Sequence, residues 1–453
     1  MLYFLLKSKY FDRAESPDRD LTKEEKMKKA YIALVLALAV VAGAAAQTIN
    51  VLFWDDAYPR TLMERIPEFE KATGIKVNFE ILQPPQVFTK TSVSVTKDRT
   101  DYDLVCVDEG NIPLFASLML PYDQWAPGKV FKKVDPNTVT PAMLDVARWD
   151  GKLIGLPING NLYVWMTRKD IVENPKHKAG FKAQYGYELG VPQTFQQMID
   201  MGTYLQKNGV VSGGFGPFNG GPAGVFGEAI FMYESYGTKF IEWKGGKPVV
   251  VLDKAKAIQG METYKTLMGI SPKGAETMAH VERQAAFCAD PKGVFTQFIW
   301  PAQIASYEDP NKSLVAGNIL YSAPPAGPAG RFAVRGTWAV NIPTSSKNKD
   351  AAAEFVYWWA SKEIASWLVE KNTVPARIDA LTDPKFAKSK PWLAAIADSM
   401  KYAAERPRFK EVAQVHDIVK KYWIMGITGQ MPTDQATQKI IDETNDVLKK
   451  AGY

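Results

Sequence analysis

The sequence predicts an α/β protein built as two lobes, each with a mainly parallel sheet flanked by helices. Three observations carry that expectation. The chain has 453 residues, more than one compact core usually holds. From Thr48 onward, strand-like and helix-like segments alternate, the pattern that lays parallel strands under crossover helices. The stretch Asp150-Gly-Lys-Leu-Ile-Gly-Leu-Pro-Ile-Asn-Gly-Asn161 then interrupts this series with glycine, proline and polar residues, and a second series follows it. It reads as a hinge where one lobe hands over to the other.

Thr48 to Trp54 is a continuous apolar run suited to a strand buried on both faces, with Asp55-Asp56 as a helix-start signal behind it. Leu62, Ile66 and Phe69 recur at helical spacing, Thr73-Gly74 closes that helix, and Ile75, Val77, Phe79 and Ile81 alternate as a second strand. A helix is predicted near Val87–Thr96, and a third buried strand over Tyr102–Val107 ends at Asp108-Glu109. Beyond the hinge, Leu162–Thr167 reads as a strand, and helices are predicted over Pro192–Leu205, Ala223–Tyr236 and Leu252–Met268. The glycine-rich stretch Ser212–Gly224 lacks the Gly-Lys-Ser/Thr ending and the GxGxxG spacing of nucleotide loops, so it reads as structural. Gly293–Trp300 is an aromatic strand ending at Pro301, and Phe332–Trp338 with Ala339–Pro343 forms another strand before a helix over Asp350–Ala360. Val374-Pro-Ala-Arg377 breaks the helical text once more. Val412, Val415, Val419 and Tyr422 then share a helix face, and a last helix starts at Thr433-Asp434.

The N-terminus carries a secretory signal: Met27-Lys28-Lys29, an apolar run from Ala30, and Ala44 and Ala46 in the A-x-A arrangement that places cleavage before Gln47. No Cys follows that site, so no lipid anchor is expected and the mature protein is expected to be freely soluble and periplasmic. Residues 1–26 put charge ahead of the basic start, which leads us to expect translation from Met27, with 1–26 a mis-assigned extension. Without residues 1–46 the chain keeps 47 Lys and Arg against 43 Asp and Glu, a net charge of about +4. No basic stripe interleaved with aromatics accompanies it, which argues against a nucleic-acid partner. Cys106 and Cys288 lie in apolar text and read as buried free thiols.

Several segments, in order, carry a resemblance to a known family: Phe69-Glu-Lys-Ala-Thr-Gly-Ile-Lys-Val77, Tyr102-Asp-Leu-Val-Cys-Val-Asp108, Gly151-Lys-Leu-Ile-Gly-Leu-Pro157, Gly336-Thr-Trp-Ala-Val-Asn-Ile-Pro-Thr-Ser-Ser-Lys-Asn348 and Val374-Pro-Ala-Arg377. With them the chain resembles the extracellular solute-binding proteins, family 1, of carbohydrate ABC importers, the maltose-binding-protein-like group. The resemblance implies a type II periplasmic-binding-protein-like fold: residues 48–157 plus 304–374 as one lobe, 158–303 plus 375–453 as the other, and three crossings. It implies a monomer that binds a sugar, oligosaccharide or polyol between the lobes and presents it to an ABC-transporter permease, without a cofactor. It also points to Trp300, the Gly336–Trp338 turn and Arg377 as places where such proteins contact ligand. His416 falls near the expected aromatic platform on the late helix, with Tyr422 and Trp423 further on.

A sugar or polyol offers hydroxyls and an apolar face, so its site needs carboxylates, amides and an aromatic plane. Trp54, Asp55, Asp108 and Glu109 stand at strand ends, where ligands of doubly wound sheets sit. Asn159 and Asn161 stand at the first crossing, and Trp300, Trp338 and Arg377 complete the candidate set. Each has a plain structural alternative: strand-end acids cap helices, tryptophans pack cores, asparagines make turns and an arginine forms a surface ion pair. A glycosidase would need two carboxylates across the sugar, and neighbours on an extended segment such as Asp108-Glu109 point to opposite faces. A cross-pair stays open as the enzyme alternative, as does a solute other than sugar. The three His, at 177, 280 and 416, have no metal spacing, and no metal site is expected.

Overall fold

In the computed structural model, Met27 and residues 47–453 are described; the rest of the predicted export signal and all of the 1–26 extension lie outside them. Among the described residues no helix is long and apolar enough to cross a membrane.

Two sheets organise residues 48–453. The first has strand order β2-β1-β3-β14-β6. Thr48–Trp54 (β1) is buried almost throughout its second half, as its continuous apolar run requires, and pairs in parallel with the edge strand Lys76–Leu82 (β2) and with Leu104–Asp108 (β3). Trp338–Asn341 (β14) is antiparallel to β3 and to the short strand Leu156–Pro157 (β6). Between β3 and β6 the chain makes a small hairpin of Arg148–Trp149 (β4) and Lys152–Leu153 (β5). The second sheet has the order β12-β7-β11-β8. In it, Val164–Arg168 (β7) runs antiparallel to both Ile319–Ser322 (β12) and Val294–Ile299 (β11), and only Gly213–Phe215 (β8) joins β11 in parallel. Ile241–Lys244 (β9) and Lys247–Val250 (β10) form a separate hairpin, and Ala333–Val334 (β13) pairs with Ala403–Ala404 (β15).

The α/β, two-sheet class is as predicted, but the expectation of mainly parallel sheets is corrected: both sheets are mixed. The reason is the route of the chain. A strand reached through a helical crossover re-enters at the same end and runs parallel. β14 instead arrives from the other sheet and begins with Trp338 opposite Asp108, the last residue of β3, so it runs the other way. The expected boundary at 304 is also displaced, because β12 pairs with β7 in the second sheet and the chain leaves that sheet only after Ser322.

Three passages between the sheets lie side by side. Gly160 donates to the carbonyl of Val374 and Ala376 to that of Ile158, while Gly336 donates to Asn161 and Tyr163 to Val334. The middle of this bundle is the end of the stretch read as a hinge. Its glycines serve different needs. Asp150 (φ 48°) and Gly151 (φ 72°) form the tight turn of the β4–β5 hairpin, the two-residue, positive-φ geometry that favours Asp-Gly. Gly155 is needed for close approach: a Cβ there would stand 2.4 Å from the Val340 carbonyl oxygen.

Helices cover both sheets. Ala57–Met63 (α1) follows β1, and Lys349–Trp359 packs Phe355 and Trp359 against Phe53 and Phe79 of the first sheet. On the second sheet, Tyr163, Trp165 and Phe298 share a core with Pro222–Ser235 (α2), Val412–Ile427 and Thr433–Lys450. Cys106 and Cys288 are free and buried.

Candidate functional site

The parallel strands β1 and β3 end at one edge of the first sheet with Trp54 and Asp108, and β14 starts beside them with Trp338. Trp54 is 3% exposed; its ring lies 4.8 Å from that of Trp338, nearly parallel, and 4.1 Å from Phe53. Its indole Nε1 donates to Asp56 at 3.3 Å. Asp56 accepts from the backbone N–H of Ala57 as the cap of α1. Burial, partly offset by these two bonds, pushes the Asp56 carboxyl up to about 6. Asp55 takes no part: Arg60 grips it with two hydrogen bonds of 2.8 and 2.9 Å at the surface.

The strand-end acids are each met by an arginine. Asp108 accepts from Arg406 at 2.6 Å, and Glu109, fully buried, accepts two bonds from Arg335 at 2.7 and 3.2 Å. Arg406 Nε stands 3.8 Å from Glu109 Oε2, and both atoms are buried without a hydrogen-bond partner. Burial works against the two guanidinium charges, yet Asp108 and Glu109 hold Arg406 above the ordinary range, and Glu109, Glu405 and Asp145 do the same for Arg335. Arg406 follows β15, which is joined to β13, and Arg335 sits in the second passage between the sheets. The Asp108–Arg406 bond therefore ties the end of a first-sheet strand to the segment that leads into the helices of the second sheet.

Asn159 and Asn161 are buried in the first passage. Asn159 Oδ1 accepts from the Trp338 N–H at 3.1 Å and leaves its Nδ2 unpartnered; Asn161 Oδ1 accepts from the Ala302 N–H at 2.9 Å, just past Trp300. Trp300 follows β11 directly and is half-buried, edge-on to Tyr163 at 4.8 Å, and a Cβ at Gly336 would lie 2.3 Å from its ring. Trp54, Asp108, Glu109, Asn159, Asn161, Trp300 and Trp338 are thus brought to one seam. Arg377 is not among them. It pairs with Asp379 at 2.7 Å, donates to the Ala360 carbonyl at 3.0 Å, and lines a small enclosed space beside Tyr58 and Trp359.

Sequence reading missed Arg335 and Arg406. The signals were a lone cation in the strand-like stretch Phe332–Trp338 and the dense Glu405-Arg-Pro-Arg408 between helices. His416, in turn, is buried against Phe226 at 4.2 Å; burial, with Arg406 nearby, pushes its imidazole down to about 3, so it is neutral. Tyr422 instead bonds Glu443, and Trp423 packs on Tyr233 and Tyr264. A wider groove of about 1030 Å³ runs beside this cluster, lined by Trp149, Trp243 and residues 401–408.

Two mixed sheets with three adjoining passages, and polar and aromatic groups gathered where strand ends meet the passages, define a two-lobed binding protein. The sequence profile of the bacterial extracellular solute-binding proteins matches residues 55–366, and the chain belongs to this family. It is 24% identical to a "Probable amino-acid ABC transporter periplasmic-binding protein" of Sinorhizobium fredii, over 85% of this chain and 86% of the relative. It is 23% identical to the erythritol/L-threitol-binding protein of Mycolicibacterium smegmatis, over 72% and 69%. The fold matches the solute-binding protein of Agrobacterium radiobacter K84 solved with ribitol, with a TM-score of 0.74, 20% identity and coverage of 88% and 98%.

Proposed function

We propose that this protein captures an uncharged polyhydroxyl solute, a sugar, oligosaccharide or polyol, between its lobes outside the cytoplasm and delivers it to an ABC-transporter permease. The observation that carries the proposal is the seam itself. Asp108 and Glu109 are matched by Arg406 and Arg335, and three tryptophans stand beside them. Because the charges cancel within the protein, a solute of net charge would leave one of them unbalanced in a desolvated setting. A hydroxyl both donates and accepts. It is the group that satisfies Glu109 Oε2, an acceptor, and Arg406 Nε, a donor, at once. The erythritol/threitol-binding and ribitol-bound relatives support this class of solute.

The candidate groups touch one another, so a solute enters only when the lobes part and is held when contacts from both sides re-form around it. No bond is made or broken in this account. Asp108 and Glu109 are each neutralised by an arginine rather than set across a gap from a second carboxylate, which is the arrangement glycoside hydrolysis needs. The export signal of residues 27–46 supports a periplasmic location.

Thermal-shift screening of ligand-free protein against tetritols, pentitols, hexitols, mono- and disaccharides and amino acids tests the reading, because a ligand that binds only the folded state raises its melting temperature. A shift confined to polyols or sugars is expected. A shift confined to amino acids would replace it with a zwitterion that exchanges partners with Asp108 and Arg406, in line with the relative of Sinorhizobium fredii.

A further inference from the structure

Trp300 stands between two very different supports. On one side lies Gly336; on the other, a stack of aromatic rings from the second sheet. Tyr163 lies face to face on Phe298, with centroids 3.7 Å apart and planes 19° apart, and Trp300 stands edge-on to both, at 4.8 and 5.7 Å. Above Phe298 sits a charge. Arg283, 1% exposed, comes from the helix His280–Cys288; its guanidinium carbon is 4.2 Å from the Phe298 ring centre and 5.3 Å from that of Phe218. Its Nη2 donates to the Phe298 carbonyl at 2.7 Å, two residues before Trp300.

The same helix reaches the chain beyond Trp300 as well. His280 lies 4.4 Å from Phe218, and its Nδ1 is 2.9 Å from Gln303 Nε2, three residues after Trp300. Burial and the Arg283 charge push His280 down to about 3, so the ring is neutral and its nitrogens divide into one donor and one acceptor. Glu228 on α2, fully buried, accepts from the Phe218 N–H at 3.1 Å; burial pushes its carboxyl up to about 7, against the pull of the Arg283 charge. An apolar side chain would fill the place of Arg283 at a smaller desolvation cost. What the guanidinium adds is direction: a rigid planar fork that fixes one carbonyl while its face meets a ring.

We propose that Arg283 is a positioning residue of the solute site, setting the angle of Trp300 by pinning the Phe298–Tyr163 stack behind it. Its hydrogen bond and its cation–ring contacts go to Phe298 and Phe218. Its effect on binding rests on the reading of Trp300 as a solute contact; its effect on the ring does not.

The test uses mature protein labelled with 5-fluorotryptophan. The ¹⁹F resonances of Trp300, Trp54 and Trp338 are assigned by their loss in W300F, W54F and W338F, then followed in R283K and R283M. The Trp300 resonance is expected to shift or split in both variants while those of Trp54 and Trp338 stay in place. Calorimetric titration with ribitol and erythritol is expected to show affinity about tenfold weaker, because a displaced Trp300 ring meets the solute less well. An unmoved Trp300 resonance overturns the proposal, as does equal movement of all three resonances, which would report general loosening. If R283M does not fold, R283K decides, since lysine keeps the charge and loses the fork. A shifted Trp300 resonance with W300F binding as tightly as wild type leaves the positioning role standing and removes Trp300 from the solute contacts.

Discussion

Gly336 shows how much of the candidate site is set by single atoms. Its backbone dihedrals are ordinary, and the residue is required because the Trp300 ring occupies the space a side chain would take. Gly336→Ala must move the ring or the passage, and overpacking of this kind typically costs about 1–3 kcal/mol. Solute affinity is expected to fall about tenfold, measured by calorimetry, with the far-UV spectrum unchanged. The Asp108–Arg406 pair is the second residue-scale device. Removing one partner leaves a charge with little water, which typically costs about 3–5 kcal/mol. Asp108→Asn and Arg406→Met should each destabilise the protein, and the double variant by less than their sum, with a coupling of about 1 kcal/mol or more by chemical denaturation. Additivity would show the pair to be spectator charges. The acids of this pair and of Glu109–Arg335 were legible in the sequence because strand ends are predictable. The arginines were not, because both reach the acids from segments far along the chain, and no local pattern reports a contact between residues 108 and 406.

Helix α1 ties local sequence to pH. Asp56 caps it, and burial holds the carboxyl up to about 6 against an ordinary 3.8. A group raised on folding binds more protons in the folded than in the unfolded state, so its contribution falls as pH rises from about 4 to 6 and is fully unfavourable above that window. Asn caps a helix as well as Asp does. Asp56→Asn is therefore expected to be about 2 kcal/mol more stable than wild type at pH 7 and equal to it near pH 3.5, by thermal denaturation at both values. A constant difference across that range would show that Asp56 is ionised throughout. At this scale most of the text was readable. The predicted segment Leu252–Met268 appears as Lys254–Met268, and Gly293–Trp300 as Val294–Ile299. The helix His280–Cys288 escaped because its buried positions include Arg283, and a cation facing inward breaks the apolar rhythm on which such readings depend.

The two sheets act as one device only if the passages between them let the lobes separate. The three passages are joined by backbone hydrogen bonds at Gly160, Gly336 and Ala376, so they are expected to flex as one ribbon. Small-angle scattering should show a larger radius of gyration for Asp108→Asn than for wild type, since one tie across the seam is lost, and a saturating solute should restore compaction. Identical scattering with and without a tight ligand would contradict closure. By itself, the sequence determined the α/β class, the two series of elements, the change of series at Asp150–Asn161 and the strand-end acids, because apolar periodicity and turn chemistry are local properties of the chain. Only the tertiary structure decided that the sheets are mixed, that β12 belongs to the second, that Arg377 and Asp55 are held by neighbours, and that Arg406 and Arg335 pair with Asp108 and Glu109 at the candidate site. Those outcomes depend on which distant segments meet, and that is settled by packing and by the need to pair buried charges.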